Sequence, residues 1–200
     1  MKPLMTSMAV LALCSFLLVD CAPVKIKQKA PDFLSSTIDG ERFALKDYVE
    51  RQGGNRVLIL AFFNTGCKPC EEDLRYLQRL YEQYRKDGLD VVCIFTEQPN
   101  KPDVVKKFTE KLDLKLPVLL DKHGTISKRY SVNGLPCQYV IDREGFLKFR
   151  YLGCSEGVKA KLEENLRELL SPSFSPSFLN QENCRPGMES HSAEVNFLQQ

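Results

Sequence analysis

Seven apolar residues in a row, Val57 to Phe63 (VLILAFF), are followed after three more by Cys67-Lys68-Pro69-Cys70. An unbroken apolar run of this length, set off upstream by the turn signal Gly53-Gly54-Asn55, reads as a strand covered on both faces. Such a strand needs packing partners above and below it, which points to an α/β sheet. From Pro69 to Lys86, the apolar residues Leu74, Leu77, Leu80, Tyr81 and Tyr84 recur at helical spacing, and Gly88 is placed to end that helix. The cysteine pair therefore falls where a buried strand turns into the first turn of a long helix.

The alternation continues downstream. Val91 to Phe95 and Leu116 to Leu120 read as further buried strands. Pro102 to Leu112 reads as a helix with proline near its start, and Gly124 to Tyr130 as a short one. Gln138 to Asp142 and Phe146 to Tyr151 read as strands joined by Arg143-Glu144-Gly145, hence a hairpin. Ser155 is placed to cap a last helix running to Leu170, with Glu156 in its first turn, where the macrodipole favours an anion. Upstream, Pro31-Asp32-Phe33 opens the folded part, and Asp39-Gly40 marks a hairpin between short extended runs. The order β-α-β-α-β-α-β-β-α predicts an α/β domain over 31–170, a central mixed sheet with helices on both faces. A chain of 200 residues holds one such domain and hardly two.

Charge excludes one class of function. Lys and Arg total 28 against 26 Asp and Glu, a formal net charge of +2 with no basic stripe, so nothing favours nucleic acid. The eight cysteines are the unusual count, and they suggest redox chemistry, a metal site or an oxidising compartment. A zinc site built on Cys67 and Cys70 would need a second C-x-x-C or a histidine pair, and the sequence has neither. An inert staple is also disfavoured, since a two-residue loop encloses little chain entropy. At a helix N-terminus, unpaired backbone N–H groups and the macrodipole stabilise a thiolate. Cys67, at the exposed end, is the expected nucleophile. Cys70, one turn in and more buried, is expected to resolve the mixed disulfide.

The combined motifs resemble the thioredoxin superfamily, and within it the membrane-tethered TlpA/ResA-like thiol–disulfide oxidoreductases. Three segments carry the resemblance, which spans about Ala30 to Leu170. Ala30-Pro31-Asp32-Phe33 with Asp39-Gly40 and Leu45 is similar to the family's N-terminal β extension. Phe62-Phe63-Asn64-Thr65-Gly66-Cys67-Lys68-Pro69-Cys70 is similar to its active-site segment. Tyr130-Ser131-Val132-Asn133-Gly134-Leu135-Pro136, with Tyr139 to Gly145, is similar to the segment that holds its cis-proline.

The resemblance implies a thioredoxin-like fold and a dithiol enzyme without cofactor or metal. It implies a cis bond before Pro136, which leaves the Leu135 backbone free to pair with a substrate strand. The expected partners are disulfide-containing proteins, such as apocytochrome cysteines before haem attachment, and a membrane electron donor. The resemblance favours a reductant, while the sequence leaves the direction open. Asp73, three residues after Cys70 on the same helix face, stands where the family often has Glu. It is expected to accept the Cys70 proton, although its side chain is shorter. The alternative for Asp73 is a plain first-turn carboxylate. Glu71 and Glu72 are expected to be solvated.

Two departures from the family stand out. Gly66 takes the place of the Trp usually found before the nucleophile, and is expected to leave Cys67 more open and its loop more mobile. Cys137 follows the cis-proline where a small hydroxyl residue is common, and is expected near the Cys67–Cys70 pair. With 137 set roughly opposite 151 in the hairpin, Cys154 falls close to it. Cys137 and Cys154 are thus possible accessory thiols: a second disulfide, an electron relay, Cu(I) ligands or two incidental thiols. Cys93 reads as core, and His123 as a surface turn.

The N-terminus suggests the compartment. Lys2 precedes an apolar run from Pro3 to Val19, the pattern of a signal peptide over 1–20, with an uncleaved anchor as the alternative. The run is short of the roughly 20 residues of a membrane span. Leu17-Leu18-Val19-Asp20-Cys21 resembles a bacterial lipobox, making Cys21 a lipidation candidate, though Asp20 departs from the small residue usual there. Cleavage would remove Cys14. The expected setting is extracytoplasmic, periplasmic and tethered to the membrane. Residues 21–30 read as a basic spacer. Residues 171–200, with Ser-Pro-Ser-Phe repeated from Ser171 and from Ser175, read as a disordered tail, the alternative being Phe174, Phe178 and Phe197 docked on the domain. Cys184 and His191 lie in that tail without a role.

Two other functions compete. A peroxiredoxin-type thiol peroxidase needs a proline and a hydroxyl residue upstream of the nucleophile, where this chain has Leu60 and Asn64. A Cu(I)-handling module would bind metal through Cys67, Cys70 and a third thiol.

Overall fold

The computed structural model describes residues 24–51, 55–97 and 101–171. The signal and lipobox segment, Cys14, Cys21, Cys184, His191, most of the Gly53-Gly54-Asn55 turn and the tail beyond Ser171 lie outside the described residues. The chain runs through β1 (Val24–Lys29), β2 (Leu34–Ser36), β3 (Arg42–Ala44), α1 (Leu45–Arg51), β4 (Val57–Phe63) and α2 (Lys68–Tyr84). It continues through β5 (Leu89–Phe95), α3 (Pro102–Leu112), β6 (Val118–Leu120), α4 (Thr125–Arg129), β7 (Cys137–Ile141), β8 (Phe146–Leu152) and α5 (Glu156–Leu170).

A six-stranded sheet has the order β1-β8-β7-β4-β5-β6, and β2 and β3 form a separate hairpin. β4, β5 and β6 are parallel, whereas β7, β8 and β1 join antiparallel. The apolar run is thus an inner strand, buried along its whole length, and its period of two sorts the core. Val57, Ile59, Ala61 and Phe63 pack with Leu74 and Leu77 of α2, Val105 of α3 and Leu162 of α5. Leu58, Leu60 and Phe62 pack on the other side with Phe33, Leu45 of α1, Ile126 of α4 and Tyr130. Each fully buried large apolar side chain contributes about 1.5–3 kcal/mol of transfer free energy. The mixed sheet with helices on both faces is as expected.

Gly88 closes the turn after α2 with φ +102°, and a Cβ there would stand 2.7 Å from the Asn55 carbonyl oxygen. Both facts demand glycine at this position. Ser155 caps α5 by accepting from Val158 N at 3.4 Å.

The structure differs from the sequence reading in three places. Residues 24–29, expected within a spacer, form β1, which pairs antiparallel with β8 through a register shift between Lys25 and Gln28. Edge pairing uses backbone groups, so a basic polar segment serves as well as an apolar one. The helix α1 carries no clear sequence signal, because only Leu45 in it is buried. Its start is held from a distance, the Asp32 carboxylate accepting from Lys46 N at 3.0 Å. In the closing hairpin, Cys137 faces Leu152 and Gln138 faces Tyr151, one residue from the expected register.

Candidate active site

Cys67 is the N-cap of α2, with extended backbone at φ −92° and ψ 95°. Its Sγ accepts from Cys70 N at 3.2 Å, and its carbonyl oxygen accepts from the same N–H at 3.0 Å. Pro69 sits in the first turn, where its missing N–H costs no helical bond. Cys67 and Cys70 are joined by a disulfide with Cα atoms 5.2 Å apart. Cys67 is half-buried, Cys70 is fully buried, and Lys68 and Pro69 between them are exposed. The pair thus presents one reachable sulfur and one shielded sulfur at a positive helix end.

The Leu135–Pro136 peptide bond is cis. Pro136 is buried, and its carbonyl accepts from Gly153 N at 2.8 Å, which ties the loop to the end of β8. Leu135 is half-buried and, like Cys67, packs against the edge of the core cluster that contains Cys70.

Asp73 is 2% exposed, beneath the first turn of α2. Its Oδ1 accepts from Gln138 Nε2 on β7. Burial pushes its carboxyl up to about 7, while the Gln138 bond and the Lys159 charge act in the opposite direction and Glu72 acts with burial. Glu72 is exposed, as expected, and pairs with Lys159 of α5, which also pairs with Glu156 at 2.7 Å. Those two carboxylates raise the Lys159 ammonium above its usual range, so it stays charged. Glu71, likewise expected to be solvated, is instead half-buried and meets Lys111 of α3 at 3.3 Å. Sequence reasoning missed Gln138 and Lys159. Gln138 was legible as a strand residue, but which face it turns to α2 depended on the register.

The packing of β7 places the accessory thiols differently from the expectation. Cys137 enters the cluster with Leu58, Leu60 and Phe62, on the sheet face opposite the cluster that holds Cys70. Successive strand residues face opposite ways, so Gln138 is the one aimed at α2. Cys137 and Cys154 are both free thiols and are not bonded to each other. Cys137 is buried, whereas Cys154 is partly exposed beyond β8, within electrostatic reach of Glu72, Asp73 and Lys159. Cys93 is a fully buried core thiol, and burial pushes it far above the ordinary thiol range. His123 is exposed in a turn at φ 68°.

At Gly66 a Cβ would meet only Asn64 Oδ1, at 3.8 Å, and no positive φ requires glycine there. The position is open, and Gly66 itself is exposed. The two positions that a peroxidase would fill with proline and a hydroxyl residue hold Leu60, inside β4, and Asn64, just beyond its end. Among the described residues, no three His, Cys, Asp or Glu side chains gather in a way that could hold a metal ion. No helix among them is long and apolar enough to cross a membrane.

Comparison with known proteins agrees with this geometry. Residues 26–150 match the AhpC/TSA family. The chain is 33% identical over 146 residues to the thiol-disulfide oxidoreductase ResA of Bacillus thuringiensis subsp. konkukian, covering 73% of this chain and 79% of that protein. It is 34% identical over 140 residues to the thioredoxin-like protein YneN of Bacillus subtilis, covering 70% and 77%. A putative thiol:disulfide interchange protein DsbE from Chlorobium tepidum superposes with a TM-score of 0.66 at 25% identity, covering 74% of this chain and 99% of that one. A sheet of thioredoxin type, a disulfide at the strand–helix junction, a cis-proline and these relatives converge: the chain belongs to the AhpC/TSA family and is a ResA-like thiol–disulfide oxidoreductase.

Proposed function

We propose that the protein works outside the cytoplasm as a reductant of partner-protein disulfides, with Cys67 as nucleophile and Cys70 as resolving thiol. The observation that carries the two thiol roles is the exposure gradient across one disulfide, Cys67 half-buried at the N-cap and Cys70 fully buried. In the reduced enzyme, the Cys67 thiolate attacks one sulfur of the substrate disulfide. The S–S bond breaks, the first substrate sulfur leaves as thiolate, and a mixed disulfide forms. Cys70 then loses its proton to Asp73 and attacks the Cys67 sulfur, releasing the second substrate thiolate. The enzyme ends with the Cys67–Cys70 disulfide, having given two electrons to the substrate. A membrane electron donor restores the dithiol. The Leu135 backbone beside cis Pro136 pairs with the substrate strand. Substrates are proteins with accessible disulfides, and apocytochrome cysteines are one such class.

The signal-like run after Lys2 and the lipobox-like Leu17 to Cys21 support export, with Cys21 as the tether. Replacing Cys70 by Ser tests the assignment of the two sulfurs. C70S is expected to accumulate a mixed disulfide through Cys67 with a model peptide disulfide, and accumulation through another cysteine overturns it. The reduction potential tests the direction. A reductant is expected near the thioredoxin end of the scale, about −270 mV, and a value near the DsbA end, about −120 mV, would make the protein an oxidant.

A further inference from the structure

Gln138 stands two residues past the cis-proline, in the part of β7 that turns toward α2. It is 1% exposed and pairs along the sheet with Ala61 of β4 and Tyr151 of β8. Its Nε2 donates to Asp73 Oδ1. Its Oε1 is buried and, among the described residues, has no hydrogen-bond partner. A buried acceptor without a donor is costly, so an orphan on the very amide that binds Asp73 signals a donor that arrives at another stage. The carboxyl beside it can supply one. An ionised carboxylate only accepts, whereas a carboxylic acid brings an O–H donor. A primary amide matches both forms, its N–H serving the carboxylate and its C=O serving the acid.

We propose that Gln138 is a positioning residue for Asp73, a single amide that keeps the buried carboxyl hydrogen-bonded in both its ionised and its protonated form. Gln138 thereby lets Asp73 take up a proton inside the fold without leaving a polar group unpaired. Within electrostatic reach of Asp73 are also Glu72 and Tyr76 on its own helix, Lys159 on α5, Cys93 on β5, Cys154 after β8 and, from the other face of the sheet, Cys137 at the start of β7. Of these, the Lys159 ammonium favours the ionised form and Glu72 opposes it, and the two are paired with each other. Gln138 is the neighbour that hydrogen-bonds the carboxyl directly. The catalytic consequence rests on the proposed role of Asp73 as the Cys70 proton acceptor.

The test is the titration of the Asp73 side-chain carbon by NMR in the full chain, for wild type and Gln138→Met. Loss of the amide removes a charge-assisted bond to the carboxylate, stronger than the neutral bond it gives the acid. The Asp73 midpoint is therefore expected to rise by about one pH unit. The pH dependence of the Cys70 step, read as release from a preformed Cys67 mixed disulfide, is expected to move with it. An unchanged midpoint in folded Gln138→Met overturns the proposal. If that variant does not fold, Gln138→Glu serves: two carboxyls in contact are expected to titrate in two separated steps, and a single unshifted step overturns the proposal. A shifted midpoint with an unshifted Cys70 step upholds Gln138 as the positioning residue and removes the base role of Asp73.

Discussion

Replacing Asp73 by Asn in the oxidised protein is expected to reshape the dependence of stability on pH. Asp73 is 2% exposed, and its pKa stands at about 7 against an ordinary 3.8. The unfolded chain releases this proton near 4, so between about pH 4 and pH 7 the folded state carries more protons than the unfolded one. Stability from this group is fully present below pH 4 and is lost as pH rises through 7. The shift from 3.8 to about 7 corresponds to about 4 kcal/mol lost across that window. Typical domain stabilities are about 5–15 kcal/mol, so the effect is large. Asn is close to isosteric and does not titrate. Urea unfolding of the disulfide form at pH 4 and pH 8 measures the effect for both proteins. The other ionisable groups are shared and cancel in the comparison. Wild type is expected to lose about 4 kcal/mol more than D73N between the two pH values. Equal losses would refute the claim that burial raises the carboxyl beneath Cys70.

Three further outcomes follow from the same structure. Gly66→Trp is expected to change stability by less than about 0.5 kcal/mol, because the position is open, and to slow alkylation of reduced Cys67 several-fold; unfolding, or an unchanged alkylation rate, would contradict this. Asp90 binds Arg56 through two contacts of 2.5 and 2.6 Å and also accepts from Tyr48. Asp90→Ala takes the acceptor from the half-buried Tyr48 hydroxyl and leaves Arg56 only the Leu89 and Arg85 carbonyls, and a loss on the order of 2 kcal/mol is expected in urea unfolding, with disulfide exchange unaffected. Blocking thiols in denaturant without reductant, followed by peptide mass mapping, is expected to recover Cys93, Cys137 and Cys154 alkylated, with Cys67 and Cys70 protected; a Cys137–Cys154 linked peptide would contradict the structure.

Sequence and tertiary structure divide the explanation between them. Local chemistry fixed what was periodic or short-range. The unbroken run Val57 to Phe63 reads as an inner strand, because every residue in it prefers burial. Helical spacing and Gly88 delimited α2, and its N-terminus placed Cys67 outside and Cys70 inside. The resemblance carried Pro136, which is cis. Three features had no local signature. β1 is held by backbone bonds to an open edge, which polar side chains do not announce. α1 buries only Leu45 and borrows Asp32 to start. The face that each hairpin residue presents depends on register, and a slip of one residue reverses it. Its place after the cis-proline pointed to Cys137, which packs on the far side of the sheet, whereas Gln138, the next residue, holds Asp73. The sequence by itself determined the strand, the helix and the dithiol at their junction. Only the folded sheet decided which side chain meets the buried carboxyl, because that contact joins residues 65 positions apart through the pairing of strands.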